Sequence, residues 1–320
     1  GASLLVTWDD HEVQNDYAGL NPGSFGPYTD FRKRRASAYQ AYYEHMPLRA
    51  SVLIEGLAGL DKGAEMRIYG NYRYGNVVNL SVLDTRQYRD VQACTPSGKT
   101  GSDVIDPDGC ESLASESRSM LGMQQEEWLM KQLEDSADQT WTVIVQSTLF
   151  GARIYKTAEG VRIWNDGWDG YPFARSRLLS NAVLAGLGHL LVIGGDVHTA
   201  IASDLPNSVV LDYIDPTFSA EQIRIIERKI SEHPTIASEW TVGGISRRGW
   251  DEARVTRRIL DNPHLRWGDG RPGSFALLHL SMDKACIEFF AIEDTRVKGS
   301  NHKSLSRWQI DAGKPTMERA

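Results

Sequence analysis

Cysteine is scarce. There are three in 320 residues, too few for a fold held together by a dense disulfide framework. No uninterrupted apolar run reaches about 18 residues, so no segment reads as a membrane-spanning helix. Positive charge is not in excess, and a net charge of −7 argues against a nucleic-acid backbone as the main partner. Internal repeats and low-complexity tracts are lacking too. The start of the chain has no methionine, no charged n-region and no apolar signal segment. Gly1-Ala2-Ser3 runs straight into Leu4, Leu5 and Val6, so the chain reads as the C-terminal portion of something longer, and its localisation is not written in it. The remaining composition, 41% hydrophobic and 24% charged, is that of an ordinary globular chain.

The most informative stretch is Leu190 to Thr199, Leu-Leu-Val-Ile-Gly-Gly-Asp-Val-His-Thr. A short continuous apolar run bounded by glycines suits a strand buried on both faces. Asp196 and His198 follow just past its C-terminal end, where open α/β sheets place their ligands. A carboxylate and an imidazole there make a metal pair, or else a turn Asp and a core His. A second such cluster lies near the start: residues 4–7 read as a short buried strand, followed by Trp8-Asp9-Asp10-His11-Glu12. Three carboxylates this close repel, which either a cation or a solvated turn relieves. Two clusters far apart in the chain, each expected at the end of a buried strand, favour one metal site at a shared sheet edge.

Between them the chain alternates. Residues 15–28 read as loop and 31–46 as a helix with Tyr39, Tyr42, Tyr43 and Met46 on one stripe, capped by Asp30 and stopped by Pro47. Its basic patch, Arg32 to Arg35, suits a solvated face or a phosphate contact. Residues 67–83 alternate as one or two strands and end in Asp84-Thr85-Arg86, either a structural ion pair or an anion site. A loop over 90–118 contains Cys94 and Cys110, which suit a disulfide or two free thiols; Cys286 suits plain core. Residues 122–134 read as a helix and 141–146 as a strand. Residues 151–171 read as a loop whose Trp164, Asp166, Trp168, Asp169 and Tyr171 suit a substrate wall or a packed lid. A helix over 173–187 leads to the opening strand. Ser219 and Gln222 form a capping box before Ile223, Ile226 and Ile230. Residues 275–280 and 285–292 make a hairpin, and the tail after Lys298 shows no pattern. Alternating buried strands and helices give an α/β layered sheet.

Trp8-Asp9-Asp10-His11-Glu12-Val13 with Asn15, and Gly195-Asp196-Val197-His198, resemble the signatures of the PhoD-type alkaline phosphatases. In the right order between and after them come Ala38 to Glu44, Asp84 to Arg89, Gly167 to Tyr171, Ser238-Glu239-Trp240 and Asn262-Pro263-His264. The resemblance implies a calcineurin-like metallophosphatase fold, a layered β-sandwich flanked by helices. It also implies a secreted or periplasmic enzyme that hydrolyses phosphate monoesters and diesters with Ca²⁺ and Fe³⁺. By that resemblance Asp10, Asp196 and His198 are metal ligands and His11 is catalytic, protonating the leaving group, with Asp9 or Glu12 orienting its imidazole. Arg86, Asn15 and Trp168 become the substrate-binding candidates.

The family's bridging Asp and its Cys and Tyr iron ligands precede the first motif, so the resemblance makes residues 1–320 the C-terminal portion of a catalytic domain, lacking its N-terminal part. Little or no phosphatase activity of this chain alone is the corresponding expectation. Two alternatives stand beside the phosphatase reading: a non-catalytic fragment of the fold, and a phospholipase D-like phosphodiesterase. The expected partner is a small phosphate ester, with no nucleic acid and no membrane span, bound by a monomer.

Overall fold

The protein is seen here as a computed structural model, which describes residues 3–24, 30–187, 189–232, 234–314 and 316–320. Its centre is a seven-stranded sheet. The strands lie in the order Gly70–Tyr74, Val78–Val82, Trp141–Val145, Leu190–Gly194, Thr235–Thr241, Ala200–Pro206, Leu265–Asp269. The four from Val78–Val82 to Thr235–Thr241 run parallel. The outer pairings are antiparallel. The parallel strands therefore release their chains at one common rim, into the loops that begin at Leu83, Gln146, Gly195 and Val242.

Side chains alternate across this sheet, as the strand period requires. Ile144 and Val192 face Leu129, Leu133, Leu178 and Ile226 of the helices Met123–Glu134, Pro172–Leu184 and Ala220–Ser231. Val143 and Leu191 face the other way, against Ile287, Phe289, Trp308 and Ile310. Those belong to a four-stranded antiparallel sheet, Ser274–Leu280, Lys284–Ile292, His302–Asp311 and Glu318–Arg319. The architecture is thus helices on a large mixed sheet on a smaller sheet. Burying a side chain such as Leu191 contributes about 1.5–3 kcal/mol, and truncating it to Ala would cost about 2–5 kcal/mol.

Several sequence expectations are corrected. Residues 4–7 are not a strand: they join no ladder and dock through side chains instead. Thr7 Oγ1 donates to the Leu83 carbonyl at 2.8 Å, and Trp8 stacks on Tyr39 with ring centroids 4.2 Å apart. Tyr39 comes from the helix Phe31–His45, whose N-terminus Asp30 caps through the Lys33 N–H. The loop expected over 151–171 contains a hairpin, Ile154–Thr157 with Gly160–Trp164. The patternless tail contains the ten-residue strand His302–Asp311. Cys286 is half-buried, because alternation turns it away from the core that Ala285 and Ile287 face. Cys94 and Cys110 are bonded, with Cα atoms 5.8 Å apart. The loop expected over 15–28 is described to Ser24; residues 25–28 lie outside the described residues.

Candidate active site

The rim gathers both acidic clusters. Gly194 and Gly195 end the Leu190–Gly194 strand, and a Cβ on Gly194 would sit 2.3 Å from the Thr148 carbonyl oxygen, so only glycine lets the two loops pass. Asp196 and His198 then take left-handed backbone at φ 65° and 54°, an arrangement that non-glycine residues adopt at a cost and chiefly at functional sites. Thr148 Oγ1 donates to Asp196 Oδ2 at 3.0 Å. Asp10 closes a turn through its carbonyl, and its Oδ2 accepts the Asp16 N–H at 2.8 Å.

The electrostatics tie the clusters together. Burial lifts the Asp196 carboxyl to about 6, the charges of Asp166 and Asp10 add to the lift, and Arg86 and Arg153 only partly offset it. Asp9 is raised for the same reasons, burial first, then Asp196 and Asp10, against Arg86. Burial and the nearby Arg247 lower His198, leaving the neutral imidazole that a metal ligand needs. In type, then, these donors suit a cation. In number they fall short: among the described residues, no three His, Cys, Asp or Glu side chains come close enough together to hold a metal ion.

The other candidates are placed as follows. His11 is exposed at the rim, and its charge reaches His198. Asp9 does not hold the imidazole; its carboxylate accepts Arg86 Nε at 2.8 Å, while Glu12 Oε2 accepts the Asp9 N–H at 3.1 Å. Arg86 is fully buried: Nη1 donates to Asp166 Oδ1 at 3.0 Å and Nη2 lies 2.9 Å from Oδ2. Arg89 and Gln92 also donate to that carboxylate, at 2.9 and 2.7 Å. Burial opposes the Asp166 charge, yet the two guanidiniums win and hold it at about 2. Asn15 donates to Asp16 Oδ2 at 2.5 Å. Trp168 is buried, donates to Gln146 Oε1 at 3.2 Å and packs on Phe150.

Two further residues at this rim were not among the site candidates read from the sequence. Glu239 was visible only as part of a motif. It is fully buried and accepts the Phe150 and Gly151 N–H groups at 2.6 and 2.8 Å, pinning the loop that presents Thr148. Burial lifts its carboxyl to about 7, against those bonds. Arg153 stood in the 151–171 loop with nothing in its neighbours' identities to mark it.

An α/β sheet with carboxylates and an imidazole converging at its strand-end rim defines a candidate ligand-binding site. The family model for PhoD-like phosphatases matches residues 1–285, and the chain belongs to that family. It is 37% identical over 264 residues to alkaline phosphatase D of Bacillus subtilis (strain 168), a match covering 82% of this chain and 40% of that protein. A solved structure of PhoD superposes with a TM-score of 0.77 at 27% identity, covering 98% of this chain and 54% of that one. The chain thus spans about two fifths of the length of the curated relative it matches.

Proposed function

We propose that this chain carries the rim of a metal-dependent phosphate-ester hydrolase that acts on monoesters and diesters. The observation that supports the reading best is the meeting of Asp10, Asp196 and His198 in one electrostatic neighbourhood, in a chain of this family. These three residues would supply only part of a cation's donor set, for Ca²⁺ by the hardness of the carboxylates or for iron on the imidazole side, and further donors would have to complete it. Such an ion supplies Lewis-acid polarisation of a phosphoryl oxygen. The chain's own contribution is the placement of charge and protons. His11, exposed at the rim, donates a proton to the leaving-group oxygen. Arg86 locks Asp9 and Asp166 in place behind it.

A disulfide between Cys94 and Cys110 suits an oxidising compartment, so we place the protein outside the cytosol. Among the described residues no helix is long and apolar enough to cross a membrane. The shortfall in ligands supports a second reading, a non-catalytic chain that keeps the fold without holding two metals.

Turnover of a chromogenic phosphate monoester with added Ca²⁺ and iron tests the first reading, with Bacillus subtilis alkaline phosphatase D measured beside it. We expect weak but metal-dependent activity, lowered by His11→Ala at unchanged metal content. Less than one bound metal per chain and no turnover would favour the second reading.

A further inference from the structure

Arg153 is buried, at 9% exposure, yet among the described residues its guanidinium has neither an ion pair nor a hydrogen bond. Aromatic rings take their place. The guanidinium carbon lies 5.1 Å from the Trp164 ring centroid, 5.7 Å from Trp250 and 5.8 Å from Tyr155. Three elements supply this cradle: the two strands of the Ile154–Thr157 and Gly160–Trp164 hairpin, and the loop after Thr235–Thr241, where the Trp250 N–H donates to Thr199 Oγ1 at 2.9 Å. The backbone of Arg153 is fixed as well, its N–H donating to Asp169 Oδ2 at 2.7 Å. Asp169 does not neutralise it; Oδ1 of that carboxylate takes Arg175 at 2.8 Å. A second guanidinium, Arg258, stands 4.0 Å over Tyr155 and has Asp261 as its partner at 3.3 Å.

Ring faces attract a cation but leave its N–H donors unanswered. A planar guanidinium in this state is prepared for an oxyanion. It lines a recess shared with Thr148, Asp196, Gly167 and Trp168, with about 10 Å³ free to a water-sized group. That is the room of one oxygen atom. Resting on the hydrolase reading of the same rim, we propose that Arg153 is the substrate-recognising residue: its guanidinium takes one non-bridging phosphoryl oxygen, which enters the recess beside Asp196. The role expected of Arg86 passes to Arg153, because Arg86 is fully buried and already paired with Asp9 and Asp166.

The test is binding of inorganic phosphate, read by tryptophan fluorescence, since Trp164 and Trp250 flank the guanidinium. Turnover is measured in parallel. Arg153→Met should weaken phosphate binding about tenfold or more and raise KM for the ester similarly. Arg153→Lys should fall between, and Arg224→Ala, an exposed pair on a distant helix, should change neither. Phosphate that binds Arg153→Met as tightly as wild type, or that fails to bind wild type at all, overturns the proposal. Should Arg153→Met not fold, wild-type affinity in Arg153→Lys overturns it equally. Arg153-dependent phosphate binding without turnover would defeat the hydrolase reading alone, and turnover with an unchanged KM in Arg153→Met would defeat the Arg153 assignment alone.

Discussion

Arg86 and Arg153 stand at the same rim and are held in opposite ways. Arg86 is wedged between Asp9 and Asp166 and paired with both. Arg153 is held by rings and by its own backbone. The carboxylates divide in the same manner: Asp166, ringed by Arg86, Arg89 and Gln92, sits at about 2, whereas Asp196, where burial outweighs the pull of Arg86 and Arg153, sits at about 6. One side of the rim has its charges satisfied internally and gives rigidity. On the other, Asp196 and Arg153 have no ion pair among the described residues, and there we place the ligand.

The largest effect should come from the satisfied side. Arg86→Met leaves half-buried Asp9 without its ion pair and buried Asp166 with Arg89 alone, and should cost about 3–5 kcal/mol in urea unfolding. Arg153→Met, which breaks no ion pair, should cost no more than about 1–2 kcal/mol. Equal losses would erase the distinction.

The satisfied side also leans on the 94–110 loop, through Ser102 on Asp16 at 2.5 Å. Replacing Cys94 and Cys110 by Ser releases a crosslink spanning 16 residues. It should lower stability by about 3 kcal/mol and expose this loop first to protease.

Glu239 sharpens the comparison through pH. Its folded carboxyl is raised from 4.5 to about 7, so the native state holds a proton that the unfolded state releases. That contribution is fully present below about pH 4.5 and lost as pH rises through 7. Relative to Glu239→Gln, wild type should therefore lose up to about 3 kcal/mol between pH 5 and 8. Parallel pH–stability curves for the two would refute this. Ser219→Ala removes the capping box of Ala220–Ser231, far from the rim. It should cost about 1 kcal/mol and leave phosphate affinity untouched, which sets the scale of a purely local change.

The strands buried on both faces were legible, since Leu190 to Ile193 is an unbroken apolar run and Trp141 to Val145 is interrupted only by Thr142. Residues 4–6 show the same run without a partner strand beside them, and composition cannot reveal pairing. His302–Asp311 escaped because Leu305, Trp308 and Ile310 are its only large apolar residues that pack on the core, amid seven polar ones. Asp10, His11, Asp196 and His198 were singled out because acids and imidazoles cluster in sequence. Arg153 was not, because its meaning lies in partners it lacks and in rings drawn from three separate segments.

The parallel centre of the large sheet has a kinetic consequence. Val78 pairs with Trp141, Thr142 with Leu190, and Leu191 with Ser238. None of these ladders can begin as a hairpin. Each must first draw together segments separated by dozens of residues, with loop entropy lost before any contact rewards it. Hairpins such as Ser274–Leu280 with Lys284–Ile292 close locally and have no such delay. The rim is built on the slow ladders, so binding competence should be the last property to appear on refolding, well after most of the β-structure is in place.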